Sequence, residues 1–266
     1  MVDPADAIGK ARQAVTQRAE LPGMSLMEHL DELRKRIIRA FLFLVLGFAA
    51  AGIFYKQLVA FIQAPLQHIG KKLVFTHPMD PLNLDLKVSL IGGAILASPF
   101  ILYQVWLFIA PGLYQKERRF VVPFMGATVG LFLAGAAFGY FYVLPGALQI
   151  LIVDFGKNFE PMVTIDEYSS FFLSIILGLG ISFELPILIF FLALFGIVSP
   201  RFLWKNIRYA ILAVFIVAAV ICPSPDPWTM CIYAMPMLAL YLVGIAVAWW
   251  VHPARRKAKE AKEAAK

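Results

Sequence analysis

The feature that most constrains the fold of this chain is a set of six long apolar runs separated by polar connections. Hydrophobic residues make up 61% of the sequence, and the 15% that are charged are bunched between the runs. Runs of this length cross the ~30 Å hydrocarbon core of a bilayer as α-helices, which satisfy all of their own backbone hydrogen bonds. The sequence therefore predicts an all-α, polytopic integral membrane protein.

The predicted membrane domain covers residues 25–251. Its six spans are 37–55, 88–110, 120–144, 171–198, 210–221 and 232–251. At ~1.5 Å rise per residue the fifth span reaches only ~18 Å, so we expect a re-entrant hairpin or a bilayer that thins beside it. Residues 1–24 lack the apolar core of a signal peptide and are predicted to form a flexible extension. Residues 252–266 are predicted to form a basic cytoplasmic tail.

The distribution of lysine and arginine predicts the orientation. With six spans both termini share one side of the membrane, and 19 of the 24 basic residues fall on that side. The positive-inside rule therefore predicts cytoplasmic N- and C-termini. Because the basic residues follow the topology instead of forming a patch interleaved with stacking aromatics, no nucleic-acid partner is expected despite a net charge of +7.

The segment before the first span is amphipathic. Leu26, Leu30, Leu33 and Ile37 recur at spacings of three and four, and charged residues fill the other positions. This pattern predicts a helix that lies at the membrane surface and leads directly into the span.

No motif of a soluble enzyme occurs in the sequence. There is no Walker A motif, nucleophile elbow, HExxH or CxxC pair, so no catalytic residue, metal site or cofactor is predicted. Cys222 and Cys231 lie nine positions apart across a proline-rich turn. They cannot form a disulfide framework; one bridge is left open, and the simpler interpretation is two small buried hydrophobes.

One acid, Glu184, lies near the middle of the fourth span, beside Gly178, Gly180 and Pro186. An ionised carboxylate at that depth costs ~2.5 kcal/mol or more, so Glu184 is expected to face a cavity or a partner, or to stay protonated. A structural alternative is a neutral Glu184 bonded to a carbonyl that Pro186 leaves without its helical partner.

Three further acids lie at predicted span ends, and each has a structural interpretation beside a functional one. Glu32 can pair with Arg36 at i,i+4, and Glu117 can form a surface bridge with a neighbouring arginine. Asp226, in the last outer turn, can cap the helix of the sixth span.

Taken together, these segments resemble the TatC family, the receptor subunit of the twin-arginine protein translocase. The resemblance lies in His29-Leu30-x-Glu32-Leu33-Arg34-x-Arg36, in Tyr103–Tyr114 followed by Glu117-Arg118-Arg119, in Ser182-Phe183-Glu184-x-Pro186, in Ser199-Pro200 and in the turn at Asp226. It covers about residues 25–251, and the Tyr103–Arg119 block is the most specific part. Cys222 and Met230 depart from the polar residues that relatives often carry at those positions.

The resemblance implies a concave, cup-like arrangement of six helices in the bacterial cytoplasmic membrane. It implies a non-enzymatic core subunit, driven by the proton-motive force, that binds twin-arginine signal peptides of folded proteins. The implied partners are the single-span subunits TatA and TatB, the lipid bilayer and other copies of the chain. The implied signal-peptide-binding residues are Glu32, Arg34, Phe108 and Glu117. Glu184 resembles the intramembrane acid of the cup, and Asp226 the functional acid of the last outer loop.

Two alternatives remain open on the sequence alone. The first is a secondary transporter of a small solute with Glu184 as its coupling carboxylate, where Gly178, Gly180 and Pro186 break the fourth span around a midplane site. The second is a purely structural membrane subunit.

Overall fold

The computed structural model describes residues 26–109, 121–194, 196–221 and 226–251. Its elements, in chain order, are α1 (Leu26–Ile53), α2 (Tyr55–His68), β1 (Leu73–Val74), α3 (Asp80–Ile109), α4 (Val121–Phe138), a π-helical turn (Gly139–Val143), α5 (Leu144–Leu148), a second π-helical turn (Gln149–Asp154), β2 (Val163–Thr164), α6 (Ile165–Ser182), α7 (Leu185–Leu194), α8 (Pro200–Lys205), α9 (Ile207–Ile221) and α10 (Pro227–Val251).

Five helical segments of the described chain are long and apolar enough to cross a membrane. They match spans one to four and six of the prediction, so the polytopic all-α architecture is confirmed. The fifth predicted span corresponds to α9, which has 15 residues. At ~1.5 Å per residue α9 is ~22 Å long, shorter than the hydrocarbon core as expected.

The prediction that the amphipathic segment leads directly into the first span is confirmed, and its place at the membrane surface stays a prediction. Residues 26–53 form one uninterrupted helix, so the amphipathic segment continues along the axis of the span. The reason is that no proline or glycine occurs between Leu26 and Leu46 to end the helix, and the apolar stripe of the first turns runs directly into the wholly apolar part.

Helices α1 and α3 pack antiparallel along most of their length. Going along α1, Phe43 stacks on Phe100 of α3 with ring centroids 5.1 Å apart, and further on Gly47 lies against Gly93. Residue numbers rise along α1 while the numbers of the contacting α3 residues fall, which shows that the two helices are antiparallel. This pairing brings the first turns of α1 to the last turns of α3, where the candidate site lies.

The connection between α1 and α3 is more structured than predicted. It was expected to be a loop over 56–87, but it contains α2, strand β1 and the first turns of α3. Strand β1 pairs in parallel with β2 from the connection after α5. Lys87 bridges the same two regions through an ion pair with Asp166 at 2.6 Å and a hydrogen bond to Ser170 Oγ at 2.9 Å. The two long connections therefore fold against each other into a cap.

Helix α6 occupies the centre of the hydrophobic core. Ile175 and Leu179 are wholly buried, and they lie in one cluster with residues of α2, α3, α9 and α10. Close approach to α4 is possible because Gly135 and Gly139 meet Leu179 and Ile175 with no side chain between. Gly126 and Gly130, which have the same spacing one stretch earlier on α4, face open space. Among the described residues, Gly135 and Gly139 pack inside this subunit and Gly126 and Gly130 do not.

Several predicted features lie outside the described residues: the extension 1–24, the elbow 110–120 with Glu117, Cys222 and the tail 252–266. Cys231 is described and is an exposed free thiol on α10, so the interpretation of this cysteine as a small buried hydrophobe was wrong.

Candidate functional site

Glu32 lies in the second turn of α1, and only one of its two carboxylate oxygens accepts a hydrogen bond from a described residue. Arg36, one turn later, donates from Nη2 to Glu32 Oε1 at 3.0 Å. The second oxygen, Oε2, is buried and accepts no hydrogen bond from any described residue. The predicted i,i+4 pair is therefore confirmed, but it satisfies only half of the carboxylate. A carboxylate with an unused buried oxygen retains the capacity to accept a further charged donor.

The same pair is tied to α3 by a residue to which the sequence analysis gave no role. Arg36 Nη1 donates to Gln104 Oε1 at 3.3 Å, and Gln104 is 6% exposed. A buried amide needs a partner, and here the partner is the guanidinium of the neighbouring helix. Gln104 lies inside the specific Tyr103–Arg119 block, and that position was the available signal for a polar role.

An aromatic contact lies beside this network. His29 of α1 stacks on Phe108 of α3, with ring centroids 4.5 Å apart and an interplanar angle of 22°. His29 precedes Glu32 by one helical turn, and Phe108 follows Gln104 by one turn, so the stack and the ion pair share one end of the α1–α3 pair. The structure thus brings the predicted residues Glu32 and Phe108 together.

Of the two other predicted binding residues, Arg34 is described by the structure and Glu117 is not. Arg34 is exposed on α1, on a different face from Arg36, and the described part of the chain offers it no hydrogen bond or ion pair. Glu117 belongs to the elbow that lies outside the described residues. A cleft of about 330 Å³ runs along the polar face of α1 and is lined by Glu28, Asp31, Glu32, Lys35, Arg36 and Arg39.

Glu184 lies at a break in the fourth span. Helix α6 ends at Ser182 and α7 begins at Leu185, with Phe183 and Glu184 forming a turn between them. Glu184 Oε1 is buried and has no hydrogen-bond partner among the described residues. The bond to a freed carbonyl, which was the structural alternative for Glu184, is therefore not formed through this atom. Gly178 and Gly180 stay helical, and they pack against Ile221 and Phe132.

Asp226 caps α10. Its Oδ1 accepts a hydrogen bond from the backbone N–H of Thr229 at 2.7 Å, and its carbonyl accepts from Met230 N–H at 3.2 Å. The predicted cap is confirmed. The helix begins at Pro227, five residues before the predicted start of the sixth span, because the cap and the proline fix its first turn there.

These features define a class: a polytopic α-helical membrane protein with a candidate binding site at the end of two packed helices, where one carboxylate oxygen of Glu32 has no described partner. Among the described residues no cluster of histidine, cysteine and acids suited to a metal ion occurs.

Comparison with known proteins identifies the family. The model of the Sec-independent protein translocase protein TatC matches residues 28–236. The TatC protein of Koribacter versatilis (strain Ellin345) is 51% identical over 98% of both chains, and that of Aquifex aeolicus (strain VF5) is 37% identical over 91% of this chain and 100% of the relative. A crystal structure of the twin-arginine translocase receptor TatC superposes with a TM-score of 0.77 at 36% identity, covering 84% of this chain and 99% of that one. The chain belongs to the TatC family.

Family membership confirms the prediction of a protein-translocase subunit and of a multi-pass membrane protein. The small-solute transporter finds no support in these comparisons, although the fourth span is broken beside Glu184 as that alternative required.

Proposed function

We propose that this chain is the receptor and core subunit of a twin-arginine translocation system, binding the signal peptides of folded precursors at the α1–α3 end that carries Glu32. The observation that carries this proposal is the half-satisfied carboxylate: Glu32 Oε1 accepts from Arg36, while the buried Oε2 accepts from no described residue.

The chemistry of the site suits a guanidinium better than an ammonium. Arginine stays charged and presents a planar fork that matches both oxygens of a carboxylate, whereas lysine is a strongly hydrated point charge. Glu117, on the elbow after α3, would supply the second carboxylate for the neighbouring arginine. Two separated acids distinguish an adjacent pair of arginines from a single cation.

The stacked rings of His29 and Phe108 form the aromatic part of the proposed site, beside its acidic groups. Phe108 presents an apolar ring beside the polar network, and His29 holds that ring by stacking. In this proposal the ring contacts the peptide next to its arginine pair, and exposed Arg34 contributes a donor to the peptide backbone or to acids around the pair.

The proposed setting is the bacterial cytoplasmic membrane, with six spans and both termini in the cytoplasm. The distribution of basic residues supports this orientation. Topology tags inserted after Phe75, Phe155 and Asp226 are expected to report the outer side; a cytoplasmic signal from these tags would contradict the orientation.

The proposed partners are TatA, TatB and further copies of the chain, with no enzymatic step catalysed by this subunit. Glu184, with its buried oxygen unpartnered in the described chain, offers a polar contact for a partner helix within the membrane. Gly126 and Gly130 leave α4 smooth enough for a second helix to approach closely. On the outer side of the membrane, Asp226 would fix the last outer turn by capping α10.

Equilibrium binding of a fluorescent signal peptide tests the proposed site. The full chain in nanodiscs is titrated with an Arg-Arg peptide and a matched Lys-Lys peptide. Glu32→Gln is expected to weaken Arg-Arg binding by about tenfold or more, since a charge-assisted hydrogen bond contributes ~1.5–3 kcal/mol. Asp31→Asn removes one negative charge from the adjacent exposed position and serves as the control. Equal effects of the two substitutions would contradict the assignment of Glu32.

A further inference from the structure

Arg36 already occupies the carboxylate that the proposed site offers to a peptide. Its guanidinium donates from Nη2 to Glu32 Oε1 at 3.0 Å and from Nη1 to Gln104 Oε1 at 3.3 Å. We propose that Arg36 is a built-in placeholder that holds Glu32 in the empty receptor and is displaced from it by an arginine of the signal peptide. The inference rests on the proposed function, because it requires a peptide guanidinium to bind at Glu32.

Arg36 makes fewer hydrogen bonds to Glu32 than a peptide arginine can make, so replacement of Arg36 by the peptide is favourable. Arg36 uses one oxygen of Glu32, and the other oxygen accepts nothing from the described residues. A peptide guanidinium that engages both oxygens makes two parallel hydrogen bonds where Arg36 makes one. A lysine ammonium replaces one bond with one bond and gains nothing. Displacing the placeholder is therefore favourable for arginine and close to neutral for lysine.

The surroundings allow Arg36 to move without being left unpaired. Its side chain is 19% exposed, and the cleft beside it contains the exposed acid Asp31 as well as Glu32. Gln104 is buried on α3 and continues to accept from Nη1 after Nη2 has left Glu32. The amide thus acts as a pivot that retains the displaced guanidinium at the edge of the site.

The two possible roles of Arg36, placeholder and positioning residue, predict opposite changes in peptide affinity when Arg36 is replaced. If Arg36 only orients Glu32, its removal misplaces the carboxylate and weakens peptide binding. If Arg36 competes with the peptide, its removal strengthens binding. The competed bond is the same for either peptide, so the affinities for Arg-Arg and Lys-Lys peptides rise by the same factor and their ratio stays constant.

The test uses the full chain in nanodiscs and the fluorescent Arg-Arg and Lys-Lys peptides. Arg36→Gln is expected to tighten the Kd of both peptides by about fivefold, the effect of removing one partly exposed ion pair. Arg39→Gln removes an equal charge from the same cleft without touching Glu32, and it is expected to leave both Kd values within about twofold. In a Glu32→Gln background, Arg36→Gln is expected to give no gain, because the cycle isolates the contact between the two residues.

Weaker or unchanged binding of the Arg-Arg peptide by Arg36→Gln would overturn the inference. So would an equal gain in Arg39→Gln, which would assign the effect to overall charge. Arg36→Lys keeps the charge and one bond to Glu32, so it is expected to leave both Kd values within about twofold. Arg36→Met keeps an extended side chain without the charge and is the second test variant; no gain in Arg36→Met contradicts the placeholder even if Arg36→Gln does not fold. Failure of the proposed function has a different signature: Glu32→Gln alone would then leave Arg-Arg binding intact.

Discussion

Gly47 of α1 and Gly93 of α3 pack backbone against backbone, so that a Cβ added at Gly47 would clash with the carbonyl oxygen of Gly93. This contact lies midway along the antiparallel α1–α3 pair. It sets the distance between the two helices, and through it the positions of Arg36 and Gln104 nearer the end. The geometry of the proposed binding site thus depends on a contact between two residues without side chains.

Gly47→Ala is expected to destabilise the fold by about 1–3 kcal/mol, because backbone atoms of α3 would have to shift to admit the methyl group. Thermal unfolding of the purified chain in detergent measures the effect. Gly130→Ala adds the same methyl group to a helix position with open space around it and is the matched control. An unfolding midpoint that falls equally in both variants would contradict the packing described for Gly47.

Lys87→Met is expected to loosen the cap formed by the two long connections. Lys87 Nζ donates to Asp166 at 2.6 Å and to Ser170 Oγ at 2.9 Å, and both acceptors lie at the start of α6. Because Asp166 is largely exposed, the loss is about 1 kcal/mol at most. Hydrogen exchange should accelerate at residues 73–74 and 163–164. Lys157→Met, whose exposed ion pair with Asp154 stays within one connection at 3.7 Å, should leave exchange there unchanged.

Asp226→Ala is expected to destabilise the start of α10 by about 0.5–2 kcal/mol, the usual cost of losing an N-cap. Asn caps helices as well as Asp does, so Asp226→Asn should preserve both the unfolding midpoint and transport. If transport is lost in Asp226→Asn while stability is kept, the charge itself has a function and the capping account of Asp226 is incomplete.

Glu184→Leu is expected to raise the unfolding midpoint in detergent while impairing transport. The reason is that a buried carboxyl oxygen without a described partner costs folding energy, about 1–3 kcal/mol, which an apolar side chain avoids. Transport assays and unfolding curves on the same variant separate the two effects. A variant that is less stable and also inactive would show that Glu184 supports the fold.

Features that depend on local sequence were predictable. The apolar runs predicted the long helices and the short fifth span, and spacing alone predicted the Glu32–Arg36 pair and the cap at Asp226. Helix α2 was missed because its 14 residues are too few and too polar to be predicted as a membrane span. Its helical structure is stabilised by packing against the hydrophobic core, which the local sequence does not reveal. Contacts between distant segments were also missed. Arg36 and Gln104 are 68 residues apart, and Lys87 and Asp166 are 79 apart, so no periodicity connects them.

The most direct test of the central claim is export of a folded, twin-arginine-tagged reporter by cells in which this chain is the only TatC protein. With the proposed partners TatA and TatB supplied, the wild-type chain is expected to export the Arg-Arg reporter and to leave its Lys-Lys counterpart in the cytoplasm. The Glu32→Gln chain, present in the membrane at the same level, is expected to export neither. Undiminished export of the Arg-Arg reporter by Glu32→Gln would contradict the account.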